Sequence, residues 1–329
     1  MGQGNRTDRS NPTDPSDCQE HELMRSEPVT ERGGAATMSP LVREARASDL
    51  PRIYDIAYET AVRDDRSPPA NPGFFADIRH EFRHGRMLVA EPAGQVQGYA
   101  STTTRGRIAF LSSLFVAPTV QSSGLGRALL AALRPPAGLL FCTDSSSDPR
   151  AVALYVRAGL RPRWPLLYLL GFSPRISLSS SLEVRAGEPD DPELPRWDAE
   201  IGGRERPMDH AYWLSEERAV PLWFVRKGTT VGYGYVRLGA GTLHVPDAVT
   251  LGPIGARSAA DARDCVLAAA AWAAQHAPAF RIDLLGPHPA LAPLLDAGFQ
   301  IIDQDIFLAG VGGLGIDPRH YAPSGGSLF

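Results

Sequence analysis

A glutamine and two glycines, Gln121, Gly124 and Gly126, stand between an apolar run, Leu111–Val116, and a run of helical spacing that begins at Arg127. Glycine suits a backbone that must take positive φ or come close to a ligand. The first turn of a helix has N–H groups without internal partners, and its peptide dipoles make that end positive. A phosphate-bearing ligand fits such a place. Two nucleotide motifs do not match: a dinucleotide fingerprint would need a third glycine where Leu129 stands, and a P-loop would need Gly-Lys-Ser/Thr. His80 and His84 lie four residues apart without an evident third ligand, so they read as a helix surface rather than a metal site. Cys18, Cys142 and Cys265 match neither a disulfide framework nor metal-ligand spacing and read as small buried hydrophobes.

At 329 residues the chain can form two ordinary domains. Its 43 % hydrophobic and 21 % charged residues describe a soluble globular protein. A net charge of −4 and a pI near 6.1 argue against a nucleic-acid partner. Lys227 is the one lysine among many arginines, a composition expected of a GC-rich bacterial genome. No apolar run approaches the ~20 residues of a membrane span, and the polar, acidic N-terminus has no signal-peptide h-region. The expectation is a cytoplasmic protein with no membrane partner, monomeric or homodimeric. Residues 1–39 have almost no apolar run and are expected to be disordered; Met38, just before the first folded-looking segment, is a candidate start of translation.

The elements that must position the glycine loop can be read from periodicity. Leu41–Ala45 is a strand, Leu50–Val62 and Phe74–Arg83 are helices, and Met87–Glu91 with Val96–Thr104 form a hairpin. Ile108–Val116 is a strand that runs into the loop, and Arg127–Leu133 is the helix after it. Leu139–Thr143 is apolar enough to be a central strand. Asp148–Ala158 is a helix, and Leu166–Leu170 closes the unit as a strand.

Val116-x-Pro118 followed by Gln121-x-x-Gly124-x-Gly126 resembles the acetyl-CoA pyrophosphate loop of the GNAT family of N-acetyltransferases. Asp148-x-x-Ala151-x-x-Leu154-Tyr155-x-x-Ala158-Gly159-Leu160 resembles a second segment of that family, with Asp for Asn and Leu for Phe. The resemblance covers roughly residues 40–172. It implies an α/β GNAT fold, a mixed and mostly antiparallel sheet whose fourth and fifth strands splay apart. It also implies acetyl-CoA as cosubstrate: Leu114, Phe115 and Val116 would pair with pantetheine, and Gln121, Ser122, Ser123, Gly124, Leu125, Gly126, Arg127 and Ala128 would wrap the pyrophosphate. Asp148 and Tyr155 would contact coenzyme, with Tyr155 as the acid for the departing thiolate. Many relatives carry an acid on the fourth strand where Ser112 and Ser113 stand. A serine near its free pKa is no base unaided, so either a water wire reaches a distant acid (Glu59, Asp64, Asp65 and Asp144 are candidates) or the amine arrives neutral. No metal is implied.

After a Ser-rich linker, 173–181, residues 182–309 repeat the plan. Leu182–Ala186 echoes the opening strand, Leu222–Arg226 and Val231–Leu238 form a hairpin, and Val249–Ile254, the helix Ala259–Gln275, Arg281–Leu285, the helix Pro289–Ala297 and Ile301–Leu308 follow. Gly298-Phe299 matches a family Gly-Phe, but Gly252–Ser258 stands where the pyrophosphate loop should be and lacks Gln-x-x-Gly-x-Gly. The second unit therefore reads as a degenerate GNAT-like domain, and 310–329 as a flexible tail. The expected activity is direct acyl transfer from acetyl-CoA, or a related short acyl-CoA, to a primary amine, a small molecule rather than a protein. The alternative is a catalytically silent acyl-CoA sensor, motivated by the missing acid and the degenerate half.

Overall fold

The computed structural model describes residues 41–176, 178–312 and 316–329. The stretch expected to be disordered, 1–39, lies outside them, as do Cys18, Met38, Ser177 of the linker and residues 313–315. In the first half, β1 (Leu41–Glu44) leads to α1 (Leu50–Ala61), whose Pro51 suits a helix's first turn and whose Ile53, Tyr54 and Ile56 are buried. Helix α2 (Ala76–His84) follows, then β2 (Arg86–Glu91), β3 (Gly98–Arg105), β4 (Ile108–Val116), α3 (Leu125–Ala132), β5 (Leu140–Ser146), α4 (Pro149–Arg157) and β6 (Arg161–Phe172). The second half runs β7 (Glu183–Ala186), α5 (Glu193–Gly202), α6 (Pro207–Ser215), β8 (Ala219–Arg226), β9 (Thr229–Arg237), β10 (Val249–Ala256), α7 (Ala259–Ala273), β11 (Ala279–Leu285), α8 (Leu291–Asp296) and β12 (Gln300–Ala309). A two-residue strand, β13 (Tyr321–Ala322), comes last.

The two expected units share one sheet of 13 strands, ordered β1-β2-β3-β4-β5-β12-β6-β11-β10-β9-β8-β7, with β13 on β10. The sequence reading had β6 close the first unit and β12 the second. Instead the two closing strands are exchanged: β12 lies between β5 and β6, and β6 pairs on its far side with β11. The reason is visible in β6. Leu166, Tyr168, Leu169 and Leu170 are all buried, so the strand is apolar on both faces. Such a strand belongs in the middle of a sheet, not at an edge.

The end of the chain also departs from expectation. The segment expected to be a flexible tail is packed: Tyr321, Ala322 and Phe329 are each no more than 1 % exposed. The Phe329 ring stacks on Phe307 at 4.7 Å and on Phe110 at 5.6 Å. Arg206 donates to the Phe329 carbonyl at 2.7 Å, and Arg204 also donates to it. Arg206 in turn holds Asp198 through two hydrogen bonds of 2.6 and 2.7 Å, entirely out of water. A second buried group joins the halves: Asp209 of α6 accepts from Arg105 of β3 at 2.7 and 2.9 Å and pairs with His80 of α2 at 2.7 Å.

Phe329→Ala is expected to cost about 3–5 kcal/mol, the usual range for a large aromatic cut from a core. Urea unfolding measures it; an unchanged midpoint would restore the loose tail.

Candidate active site

The site begins where two strands part. Parallel β4 and β5 pair from Ile108↔Leu140 to Leu111↔Thr143 and no further. The Thr143 hydroxyl donates to the Leu111 carbonyl at 2.8 Å, fastening the last rung. Beyond it β4 continues to Val116, bonded to β3 along one edge, and the edge toward β5 has no strand beside it. On its far side β5 is bonded to β12. The wedge opens into a cavity of about 1570 Å³. The backbone N–H and C=O groups of the open edge are strong hydrogen-bonding groups still available to a ligand.

At one end of the cavity lies the glycine loop. Gly124 is the N-cap of α3 at φ 90°, a conformation that suits glycine. The first helical hydrogen bond runs from Ala128 N–H to Gly124 C=O at 3.1 Å. The amides of Leu125, Gly126 and Arg127 therefore have no partner within the helix. The Ala128 amide, expected among the pyrophosphate donors, is already engaged in the helix. Gln121, Ser122, Ser123, Gly124, Leu125, Gly126 and Arg127 all line the cavity, as do Arg63, Arg150 and Arg157. Free amides and arginines in one cavity are what a pyrophosphate and further phosphate require, so the residues present fit coenzyme A. Asp148 lines the cavity too but works mainly as the cap of α4, accepting from the Arg150 amide at 2.8 Å and pairing with its guanidinium at 2.6 Å.

The middle of the cavity holds the reactive candidates. Leu114, Phe115, Val116, Ser112, Ser113 and Tyr155 all line it. Ser112 is the extra residue of a bulge, since Leu111 pairs with Thr102 and Ser113 with Ser101. A bulge re-aims the strand beside a site. Ser113 is 6 % exposed, and its hydroxyl donates to Glu81 Oε2 at 2.8 Å. Ser101 donates to the same oxygen, while Oε1 has no partner among the described residues. Glu81 is wholly buried; burial, then the charge of Asp77, push its carboxyl up to about 8 against the pull of the two hydroxyls. Tyr99, also wholly buried, lines the same cavity, and its hydroxyl has no hydrogen-bond partner among the described residues. Tyr155 of α4 is 5 % exposed, and burial, then the charge of Asp305, keep its phenol protonated far above neutrality.

Glu81 was missed from the sequence, yet it left a signal. It lies three residues after Ile78, on the face of α2 that packs inward; an acid at a core-facing position is uncommon unless paired. Three acids weighed as distant bases are engaged elsewhere. Glu59 pairs with Arg52 at 2.6 Å, Asp64 with Arg63 at 3.0 Å, and Asp65 with His244 at 2.8 Å. His80 is a buried partner of Asp209 rather than a surface residue. Cys142 and Cys265 are buried, and burial pushes the Cys142 thiol up to about 12. Among the described residues no group of three or more His, Cys, Asp or Glu could hold a metal ion.

The second half repeats the wedge and fills it. β10 and β11 pair in parallel from Val249 to Leu251, then part. On the freed edge of β10 lies β13, with Ile254 opposite Ala322 and Gly255 opposite Tyr321. Gly252–Ala256, expected to replace the pyrophosphate loop, is strand. Only Arg257 and Ser258 connect it to α7, too few to wrap a phosphate group.

Residues 50–160 match the family model described as Acetyltransferase (GNAT) family. No curated relative matches. Among solved structures, a candidate acetyltransferase from Pyrococcus horikoshii superposes with a TM-score of 0.68 at 15% identity, over 88% of this chain and 95% of its own. A tandem GNAT protein from the clavulanic acid biosynthesis pathway gives 0.58 at 18%, over 83% and 98%. A GCN5-related N-acetyltransferase from Sphaerobacter thermophilus gives 0.53 at 15%, over 83% and 98%. At such identities the structural likeness is one of fold, and the family model supplies the rest: residues 50–160 form a GNAT acetyltransferase domain, within a chain that has the tandem GNAT fold.

Proposed function

We propose that the first half binds acetyl-CoA in the wedge between β4 and β5 and passes the acetyl group directly to a primary amine. The observation that carries this reading is the parting of the strands at Leu111↔Thr143, with free amides at one end and Ser113 backed by Glu81 in the middle. Coenzyme would lay its pyrophosphate on the amides of Leu125–Arg127 and its pantetheine along Leu114–Val116. The thioester would then stand near the Ser112 bulge.

Amine acylation releases protons that must be placed. The acceptor nitrogen gives one up before or during attack on the thioester carbon, the carbon–sulfur bond breaks, and the thiolate takes a proton. Ser113 is not itself a strong base. It accepts the amine's proton while its own hydroxyl proton moves to Glu81 Oε2, so Glu81 is the sink and Ser113 the relay. Tyr155, held protonated by its buried setting, returns a proton to the sulfur. The silent-sensor alternative rested on the missing acid on β4 and on the degenerate second half, and Glu81 speaks against the first of these. In the second half, β13 stands where a coenzyme would pair, so that half would shape the acceptor side rather than bind a second acyl-CoA.

The Glu81 carboxyl is neutral below about pH 8 and becomes a proton acceptor above it. The rate of thiol release from acetyl-CoA, referred to the neutral fraction of a fixed amine, should therefore rise through pH 8 and level off. Glu81→Gln should lose about 10²-fold, the lower end of the general-base range, together with that rise. An unaltered pH profile in Glu81→Gln would remove the relay. Tyr155→Phe should lower kcat about 10²-fold while acetyl-CoA binding measured by calorimetry holds; full activity would remove the acid.

A further inference from the structure

The central sheet carries a row of acids that the acyl transfer just described does not use. The pairing register puts Asp144 of β5 opposite Phe307 of β12, and Asp305 two residues before it on the same face. Asp303 and Tyr168 are paired partners on β12 and β6, and Asp283 of β11 is opposite Tyr168. Arg281 is committed to Asp283 at 2.8 Å, and the Tyr168 hydroxyl donates to Asp305 at 2.7 Å. Asp144, Asp303 and Asp305 have no ion-pair partner among the described residues. Both oxygens of Asp144 expose under 1 Å² each, and no donor among the described residues reaches either. A buried carboxyl without a donor is costly, so the site is built at the expense of stability. Asp144, Asp303 and Asp305 all line the cavity that holds Ser113, Tyr155 and the glycine loop. Asp144 is the first residue of β5 after the last rung, Leu111↔Thr143, and so stands at the mouth of the wedge.

The acids are placed for an organic cation. Their spacing does not make a metal site among the described residues. Arg63, Arg127, Arg150 and Arg157 line the same cavity, Arg63 by the glycine loop, where it donates to Gln121 at 3.2 Å. The reacting nitrogen cannot be the charge they serve. It must be neutral to attack, and a carboxylate pair would hold it as ammonium. They suit a charge that stays through the reaction. We propose that the acceptor is a dication, with its reacting amine at Ser113 and a second ammonium or guanidinium group held by Asp144 and Asp305. This rests on the acyl-transfer reading above and adds the acceptor's class. The segment Gly325–Ser327 closes over the row: a Cβ on Gly326 would lie 3.1 Å from the Tyr168 hydroxyl, and Ser327 is fastened to Asp77 at 2.7 Å. Gly326 and Ser327 also line a neighbouring cavity of about 830 Å³, into which a longer acceptor would extend.

The test compares straight α,ω-diamines of three to six methylenes with n-alkylamines of the same length. Thiol release from acetyl-CoA gives kcat/KM, and calorimetry on protein loaded with coenzyme A gives amine affinity. At least one diamine should exceed its matched monoamine at least tenfold in both, more so at low salt. Asp144→Asn and Asp305→Asn, checked for folding by circular dichroism and for retained acetyl-CoA binding, should each remove that preference. Acetyl-CoA binding with mono- and diamines alike in affinity and turnover would overturn the dication and leave acyl transfer standing. Absence of acetyl-CoA binding by the folded protein would overturn both.

Discussion

Everything in the first half depends on a sheet that stops pairing at one rung. Parallel strands normally satisfy each other's backbone groups along their length, and an unpaired edge inside a protein demands a partner. Below Leu111↔Thr143 the strands are ordinary core, with Phe110, Cys142 and Thr143 buried. Above it they part, and the freed edge of β4 becomes a surface for a chain-like ligand. The Thr143 hydroxyl on the Leu111 carbonyl fixes the point of parting, and the bulge at Ser112 immediately follows. Rung, bulge, loop and helix start follow one another without a break, and on the proposed reading they offer an edge to the amide-bearing arm of a coenzyme and a nest of amides to its phosphates.

The same constraint explains the second half. Its strands part after Leu251, and the freed edge there is covered by the chain's own Tyr321–Ala322. One half leaves its wedge available and the other closes it with protein. From β13 the chain runs on past the first half, where Ser327 meets Asp77 and Phe329 stacks on Phe307. The exchange of β6 and β12 joins the two halves in one sheet. It also carries Asp303 and Asp305, residues of the second half, to the cavity of the first.

The sequence made the local order legible because each element carries its own pattern. The glycine loop, the two helices flanking β5 and most strands of both halves were readable from spacing. What could not be read were relations between distant segments. An apolar run such as Leu166–Leu170 says that a strand is buried on both faces but not which strands lie beside it. The tail looked loose because Gly310–Gly315 and Pro323–Leu328 are rich in small residues; the few that anchor it, Tyr321, Ala322 and Phe329, gain meaning only from their partners. Glu81 was hidden for a similar reason. Ser113 of β4 donates to Glu81 of α2, and no spacing rule joins positions 81 and 113.

The central claim is that one wedge takes the coenzyme and the other is closed by the chain itself. Isothermal titration of the folded protein with acetyl-CoA tests it most directly. The account predicts saturation at one acetyl-CoA per chain, with a bulky substitution at the α3 start, Gly126→Trp, abolishing it. Two equivalents per chain, or one that survives Gly126→Trp, would contradict it.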